Sequence, residues 1–194
     1  LIRWYYAENS YLRTKGWVRT ERTGAPVDQS GDPIPWYTYP AIDFVEDRVR
    51  DDFRVFEFGS GNSSLWYSSR VDEVVAVEDS EQWAAKCQER APKNLTVVHE
   101  PNLDEYPAAV TGRGPFDMII IDGPVRQECV APSLDAIANQ GVIILDDFER
   151  WDDDDWAQLR DAGFRALPFT GPKAQRLTES CTAVLYRNKN CLNI

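Results

Sequence analysis

The sequence predicts an α/β fold. It reads as a doubly wound, mostly parallel sheet of seven strands with helices on both faces, preceded by an aromatic N-terminal cap. Three observations predict this. Strand-like apolar runs alternate with helix-spaced segments from Phe53 to Arg187. The run Phe116–Ile121 is of the kind that a parallel sheet buries on both faces. And 194 residues is one domain's length, enough to bury roughly 70% of the unfolded surface without a disulfide or metal staple.

Residues 1–40 differ from the rest. They hold Trp4, Tyr5, Tyr6, Tyr11, Trp17, Trp36, Tyr37 and Tyr39, with four prolines after position 25. Gly24–Pro35 is turn-rich and reads as loop. Such a segment is either a cap laid over a core or an irregular wrap. It is set apart as a cap over 1–40, with the main domain at 41–194. Ala41–Arg50 has helical spacing through Ile42, Val45 and Val49.

The alternation then begins. Phe53–Phe58 is a strand, followed by a Gly/Ser turn and a helix over Asn62–Arg70. Glu73–Val77 is a short strand, and Ser80–Arg90 a helix with Ser80 as N-cap. Leu95–His99 and Phe116–Ile121 are strands, Cys129–Asn139 a helix, and Gly141–Leu145 a fifth strand. Asp152–Ala162 reads as a helix whose early aspartates suit the positive end of its dipole. Phe164–Phe169 and Cys181–Arg187 close the sheet, with a Gly-Pro loop between them. In such a sheet, ligands sit beyond the carboxyl ends of the strands.

Composition narrows the function. Twenty-one Lys+Arg against 32 Asp+Glu give a formal charge of −11. Nucleic-acid readers carry a basic face, so no nucleic-acid partner is expected, nor an anionic membrane surface. No stretch approaches the ~18 apolar residues of a membrane span. The 16 arginines against five lysines suit a high-salt cytoplasm or an ordinary acidic protein equally. None of Cys87, Cys129, Cys181 and Cys191 forms a CxxC pair. Free thiols in a reducing, cytoplasmic compartment are expected, with a Cys181–Cys191 bridge the one pairing left open. The chain starts at Leu1 with no signal-type apolar run, so trimming is expected and a removed leader stays open.

Two strand ends carry ligand chemistry. The first ends in Glu57-Phe58-Gly59-Ser60-Gly61-Asn62-Ser63-Ser64. Its glycines let the backbone turn sharply and approach a ligand. A dinucleotide loop would read G-x-G-x-x-G, but Ser64 takes the third glycine position. Glu57 would repel a pyrophosphate and pair with an ammonium. The second strand ends in Val77-Glu78-Asp79-Ser80, placing an acidic residue about twenty positions on, where it can hold a ribose. Glu57 with Glu78 describes a ligand with a ribose and a cation but no phosphate, which S-adenosylmethionine fits.

On these residues the chain resembles the class I S-adenosylmethionine-dependent methyltransferases, over roughly 41–187. The resemblance implies a Rossmann-like sheet with S-adenosyl-L-methionine across its first three strands. Glu57 and the Gly59, Ser60, Gly61, Asn62 and Ser63 backbone would hold the methionine part, and Glu78 the ribose. Asp79 and Ser80, with the His99-Glu100 region, would meet the adenine. The loop departs from the commoner pattern in having Asn62-Ser63 in place of a third glycine.

Further acids gather at the rim. The fourth strand ends in Asp122-Gly123-Pro124-Val125-Arg126 and the fifth in Asp146-Asp147. Three carboxylates together are costly unless a cation sits among them, and oxygen ligands suit Mg²⁺, Mn²⁺ or Ca²⁺. The pattern is similar to the metal-dependent O-methyltransferase branch, which implies a divalent ion on Asp122, Asp146 and Asp147. The expected reaction is methyl transfer to a hydroxyl of a sugar, glycan, uronic acid or other small polar substrate. Asp122 takes the proton and Arg126 orients an anionic acceptor, or else pairs Glu128 or Glu149. Trp36, Tyr37 and Tyr39 would close the site. The alternatives are a metal-free enzyme with Asp122 or His99 as base, a catalytically silent binding module, and a nicotinamide oxidoreductase. Neither the acceptor nor the oligomer is read from the sequence; a homo-oligomer is left open.

Overall fold

A computed structural model describes residue 7 and residues 9–194. Trp4, Tyr5 and Tyr6 of the expected cap lie outside the described residues.

The sheet has seven strands in the order β3-β2-β1-β4-β5-β7-β6. These are β1 Arg54–Phe58, β2 Glu73–Glu78, β3 Leu95–His99, β4 Phe116–Ile121, β5 Ile137–Leu145, β6 Arg165–Lys173 and β7 Arg176–Tyr186. The first five run parallel, while β7 lies antiparallel to both β5 and β6. The helices are α1 Tyr11–Thr14, α2 Trp17–Thr23, α3 Tyr39–Glu46, α4 Asn62–Ser68, α5 Glu81–Arg90, α6 Val130–Ala136 and α7 Ala157–Asp161. None is long and apolar enough to cross a membrane among the described residues.

Alternation along the strands sorts the core onto two faces. Val55, Ala76, Ile120, Ile144 and Val184 face one side, packed with Tyr37, Tyr39, Trp66 and Tyr67. Phe56, Phe58, Ile119, Ile121, Ile143 and Leu145 face the other, packed with Tyr106, Phe116 and Leu159. Strand residues buried on both faces read as the continuous apolar runs seen in the sequence. Glu57 lies between Phe56 and Phe58, so its side chain enters the first face and is 1% exposed.

Local chemistry explains the helix starts and the departures from expectation. Ser80 caps α5, its Oγ accepting from the Trp83 amide at 3.4 Å. Pro40 opens α3 within its first turn, where its missing N–H costs nothing. The helix expected over Asp152–Ala162 begins only at Ala157. Asp152 accepts instead from the amides of Asp154 and Asp155 at 2.9 and 3.0 Å, so these aspartates tie up a turn and compete with the helix. The helix expected over Cys129–Asn139 stops at Ala136, because Ile137 already pairs with Phe116 as β5 begins.

The Gly-Pro segment expected as a loop is strand. β6 runs through Gly171 to Lys173, with a register irregularity between those two residues, and Lys173 pairs with Arg176 across the turn. The N-terminal segment rests on this hairpin. Thr38 bridges Lys173, its amide donates to Thr182 Oγ1 at 3.0 Å, and Trp36 Nε1 donates to the Ala174 carbonyl at 2.7 Å. All four cysteines are buried and unpaired, so Cys181 and Cys191 form no bridge.

Phe116 is fully buried beside Phe56, ring centroids 5.4 Å apart. Phe116→Ala should destabilise the fold by about 3–5 kcal/mol. Urea unfolding followed by tryptophan fluorescence measures this; a loss under ~1 kcal/mol would contradict this packing.

Candidate functional site

Parallel register brings four strand ends to one rim. Phe58 pairs with both Val77 and Ile121, and Ile121 with Leu145. Each chain turns out just beyond, at Gly59, Glu78, Asp122 and Asp146. Gly59 has φ +101°, a conformation that L side chains rarely adopt, and Asp122 and Gly123 lie against it. A Cβ on Gly123 would stand 2.3 Å from the Tyr106 hydroxyl and 3.1 Å from the Gly59 amide. Only glycine allows these two turns so close an approach.

The turns line a cavity of about 420 Å³. Glu57, Gly59, Ser60, Ser63, Glu78 and Asp79 form one wall. Asp122, Arg126, Asp146, Asp147, Lys173 and Arg176 form the other, and Trp36 also lines the cavity. Gly61 and Asn62 line an adjoining cavity of about 500 Å³ instead, together with Trp83, Lys86 and Cys87. Asn62 is tied up there, donating to the Pro26 carbonyl and accepting from Arg90 at 3.1 Å. Ser80 lines neither cavity; it serves as the α5 cap. His99 is exposed on the edge strand β3, outside both cavities, which removes it as a base.

The first wall is built from hydrogen bonds to carboxylates. Glu78 Oε2 accepts from the Ser60 amide at 2.8 Å and its hydroxyl at 3.1 Å, and Oε1 from the Ser80 amide at 3.1 Å. These bonds fix the glycine loop and still leave lone-pair capacity on the carboxylate. Glu57 accepts from the Ser64 hydroxyl. Burial pushes the Glu57 carboxyl up to about 7, against the opposing pull of Ser63 and Ser64, with Glu78 adding repulsion. Such a group lacks a cation and would gain from one.

The second wall differs from the sequence expectation. Lys173 is 4% exposed. Its ammonium lies 2.7 Å from Asp146 Oδ2 and 2.5 Å from Asp147 Oδ1. Asp146 Oδ1 accepts from Thr182 at 2.6 Å. Asp147 Oδ2 faces Arg126 at 3.5 Å and Arg150 at 3.4 Å. Asp122 Oδ1 accepts from Arg126 at 3.0 Å. The carboxylates expected to ligate a divalent ion are thus neutralised by the chain's own cations. Among the described residues, no group of three or more metal-ligating side chains is open to a metal ion. The donor set does not fit Mg²⁺, Mn²⁺ or Ca²⁺.

Arg126 meets neither Glu128 nor Glu149. Its donors reach the Gly123 carbonyl at 3.0 Å, the Asp146 carbonyl at 2.5 Å and Asp122, so it pins the β4 and β5 turns together. Glu149 accepts from the Cys181 amide at 2.8 Å. Burial pushes the Asp122 carboxyl well above its ordinary value, and Asp146 adds to this, while Arg126 and Lys173 oppose it. Burial also acts on Asp147, but Lys173, Arg126 and Arg150 more than offset it and hold that carboxyl low. Burial pulls Lys173 down, and the two aspartates outweigh it, so it stays charged.

Lys173 and Arg176 were not among the residues expected here, because no motif marks them. The available signal was charge balance: three carboxylates at one rim demand a cation.

No protein-family model and no curated protein matches the sequence. Solved structures do match. A proposed caffeoyl-CoA O-methyltransferase from Staphylococcus aureus superposes with TM-score 0.63 at 14% identity, covering 96% of this chain and 97% of that one. An S-adenosylmethionine-dependent O-methyltransferase from Thermotoga maritima gives 0.59 at 14%, covering 79% and 67%. An rRNA methylase from Streptococcus thermophilus gives 0.53 at 22%, covering 75% and 92%. The chain has the fold of these methyltransferases.

Glu57 supplies a pH test. Its folded pKa of about 7 exceeds its ordinary 4.5. Its contribution to stability is therefore fully present below about 4.5 and lost as the pH rises through about 7. E57Q removes this dependence. Between pH 4.5 and pH 8 the stability of E57Q should rise relative to wild type by roughly 3 kcal/mol, read from paired urea titrations. A constant difference would contradict the burial of an uncompensated carboxyl.

Proposed function

We propose that the protein is an S-adenosylmethionine-dependent O-methyltransferase acting on a hydroxyl of a small polar acceptor, with sugars and uronic acids as the leading class. One observation carries this reading: Glu57, Glu78 and Asp122 surround a single cavity at the strand ends of a methyltransferase fold.

Each residue then has a task. Glu57 meets the ammonium of the methionine part, which offsets its burial. The backbone of Gly59, Ser60 and Ser63 carries that part, and Glu78 accepts from the ribose hydroxyls. Asp79 lines the same end, beside the adenine. When bound, S-adenosylmethionine supplies an electrophilic methyl group on a sulfonium. Asp122 takes the acceptor's hydroxyl proton as the oxygen–carbon bond forms and the sulfur–carbon bond breaks. Its Oδ1 is held by Arg126, which leaves Oδ2 for the acceptor's proton. Arg126 holds Asp122 in place rather than forking a substrate carboxylate. Arg176 is 43% exposed at its side chain, 3.6 Å from Asp147, and is the cation better placed for an acidic acceptor. Trp36, 44% exposed, offers an aromatic face to a sugar ring.

The charge of −11 and the acid-lined cavity favour a small acceptor over a polyanion. Four buried, unpaired thiols support a reducing compartment such as the cytoplasm.

Calorimetric titration with S-adenosylmethionine tests the reading. Wild type should bind it, and E78A should weaken binding by about tenfold or more. With labelled S-adenosylmethionine, transfer is assayed on a panel of sugars, uronic acids, phenols and RNA. On the acceptor that is methylated, D122N should lose about 10²–10⁴-fold in kcat while still binding S-adenosylmethionine. Absence of binding would overturn the proposal, binding without transfer would point to a silent module, and transfer to RNA alone would overturn the acceptor class.

A further inference from the structure

We infer that Lys173 is the built-in cation of the acceptor side, its ammonium standing between Asp146 and Asp147 where a divalent ion would otherwise stand. This deepens the methyltransferase reading and rests on it for the identity of the acceptor side. The metal exclusion itself rests on geometry alone.

A divalent ion of the Mg²⁺ or Ca²⁺ type takes six or more oxygen ligands at about 2.0–2.6 Å. The three aspartates offer six carboxylate oxygens. Lys173 takes Asp146 Oδ2 and Asp147 Oδ1, Thr182 takes Asp146 Oδ1, and Arg126 takes Asp122 Oδ1. Asp147 Oδ2 faces Arg126 and Arg150. Among the described residues this leaves Asp122 Oδ2 with neither a donor nor a cation facing it, and Asp147 Oδ2 with ion-pair contacts alone. An incoming ion would displace these donors and stand within a few ångströms of a buried ammonium. In a partly buried site such repulsion disfavours the ion.

The chain holds this cation firmly. Lys173 ends β6, pairs across the hairpin with Arg176, and bridges Thr38 of the N-terminal segment. Trp36, which lines the cavity, is anchored to the next residue, Ala174. The hairpin that delivers the charge therefore also anchors the aromatic residue of the cavity lining. An ammonium has three N–H donors. Two are used on the aspartates, and Lys173 lines the cavity. Lys173 is in this sense a positioning residue, fixing the acidic rim and placing positive charge beside the acceptor oxygen.

The account predicts that removing the ammonium opens a metal site. Manganese binding is followed by the loss of the free Mn²⁺ EPR signal, in wild type, D146N, K173A, K173Q and the double variant K173A/D146N. Wild type should leave Mn²⁺ free. K173A and K173Q should each take up one Mn²⁺ per chain, at least about tenfold more tightly than wild type, and the double variant should lose that gain. Folding of K173A only when Mn²⁺ is present counts as the expected result. Uptake by wild type that D146N abolishes would overturn the inference, as would a folded K173Q that leaves Mn²⁺ free. S-adenosylmethionine titration of wild type runs in parallel. Failure there would sink the methyltransferase reading while leaving the metal result to stand or fall by itself.

Discussion

The buried pairing of Lys173 with Asp146 and Asp147 is the interaction on which the site depends. Parallel strands that end on acidic residues must bring their charges to one rim, and burial makes like charges costly there. The chain meets this with cations from two sources. Arg126 comes from the turn after β4 and ties it to β5. Lys173 arrives from the far end of the chain, along a strand that runs antiparallel to its neighbour. Breaking a buried pair of this kind by removing one partner leaves an uncompensated charge, at a cost of about 3–5 kcal/mol.

The two walls of the cavity follow from this arrangement. The Glu57–Glu78 wall is satisfied mainly by hydroxyls and backbone amides, so it retains an appetite for a cation that a ligand can bring. The Asp122–Asp147 wall carries its cations already. Opposite electrostatic states on facing walls suit a reaction in which a cationic donor lies on one side and a polar acceptor on the other. Trp36 lines the same cavity and is anchored to the hairpin that also carries Lys173.

Much of the fold was legible because the strand runs are short, apolar and separated by turn chemistry. Glu57, Glu78, Asp122, Asp146 and Asp147 were legible for a related reason: strand ends in a parallel sheet converge, so acids just past them must meet. What escaped were features set by side-chain competition. The Asp152–Asp155 run looked like a helix start, yet its carboxylates bind their own backbone. Gly171-Pro172 looked like a loop, yet β6 passes through it by a register irregularity. That second misreading hid Lys173 and made a metal look necessary. Nothing local in the sequence tells a lysine that will fold back onto two distant aspartates from one that will stay in solvent.

The most direct test of the account is a crystal structure of the protein with S-adenosylhomocysteine, grown with Mn²⁺ and measured at the manganese absorption edge. The account predicts the ligand's amino group beside Glu57, its ribose at Glu78, the Lys173 ammonium between Asp146 and Asp147, and no anomalous peak at that rim. A manganese peak bound by Asp122, Asp146 and Asp147, with Lys173 turned away, would contradict it.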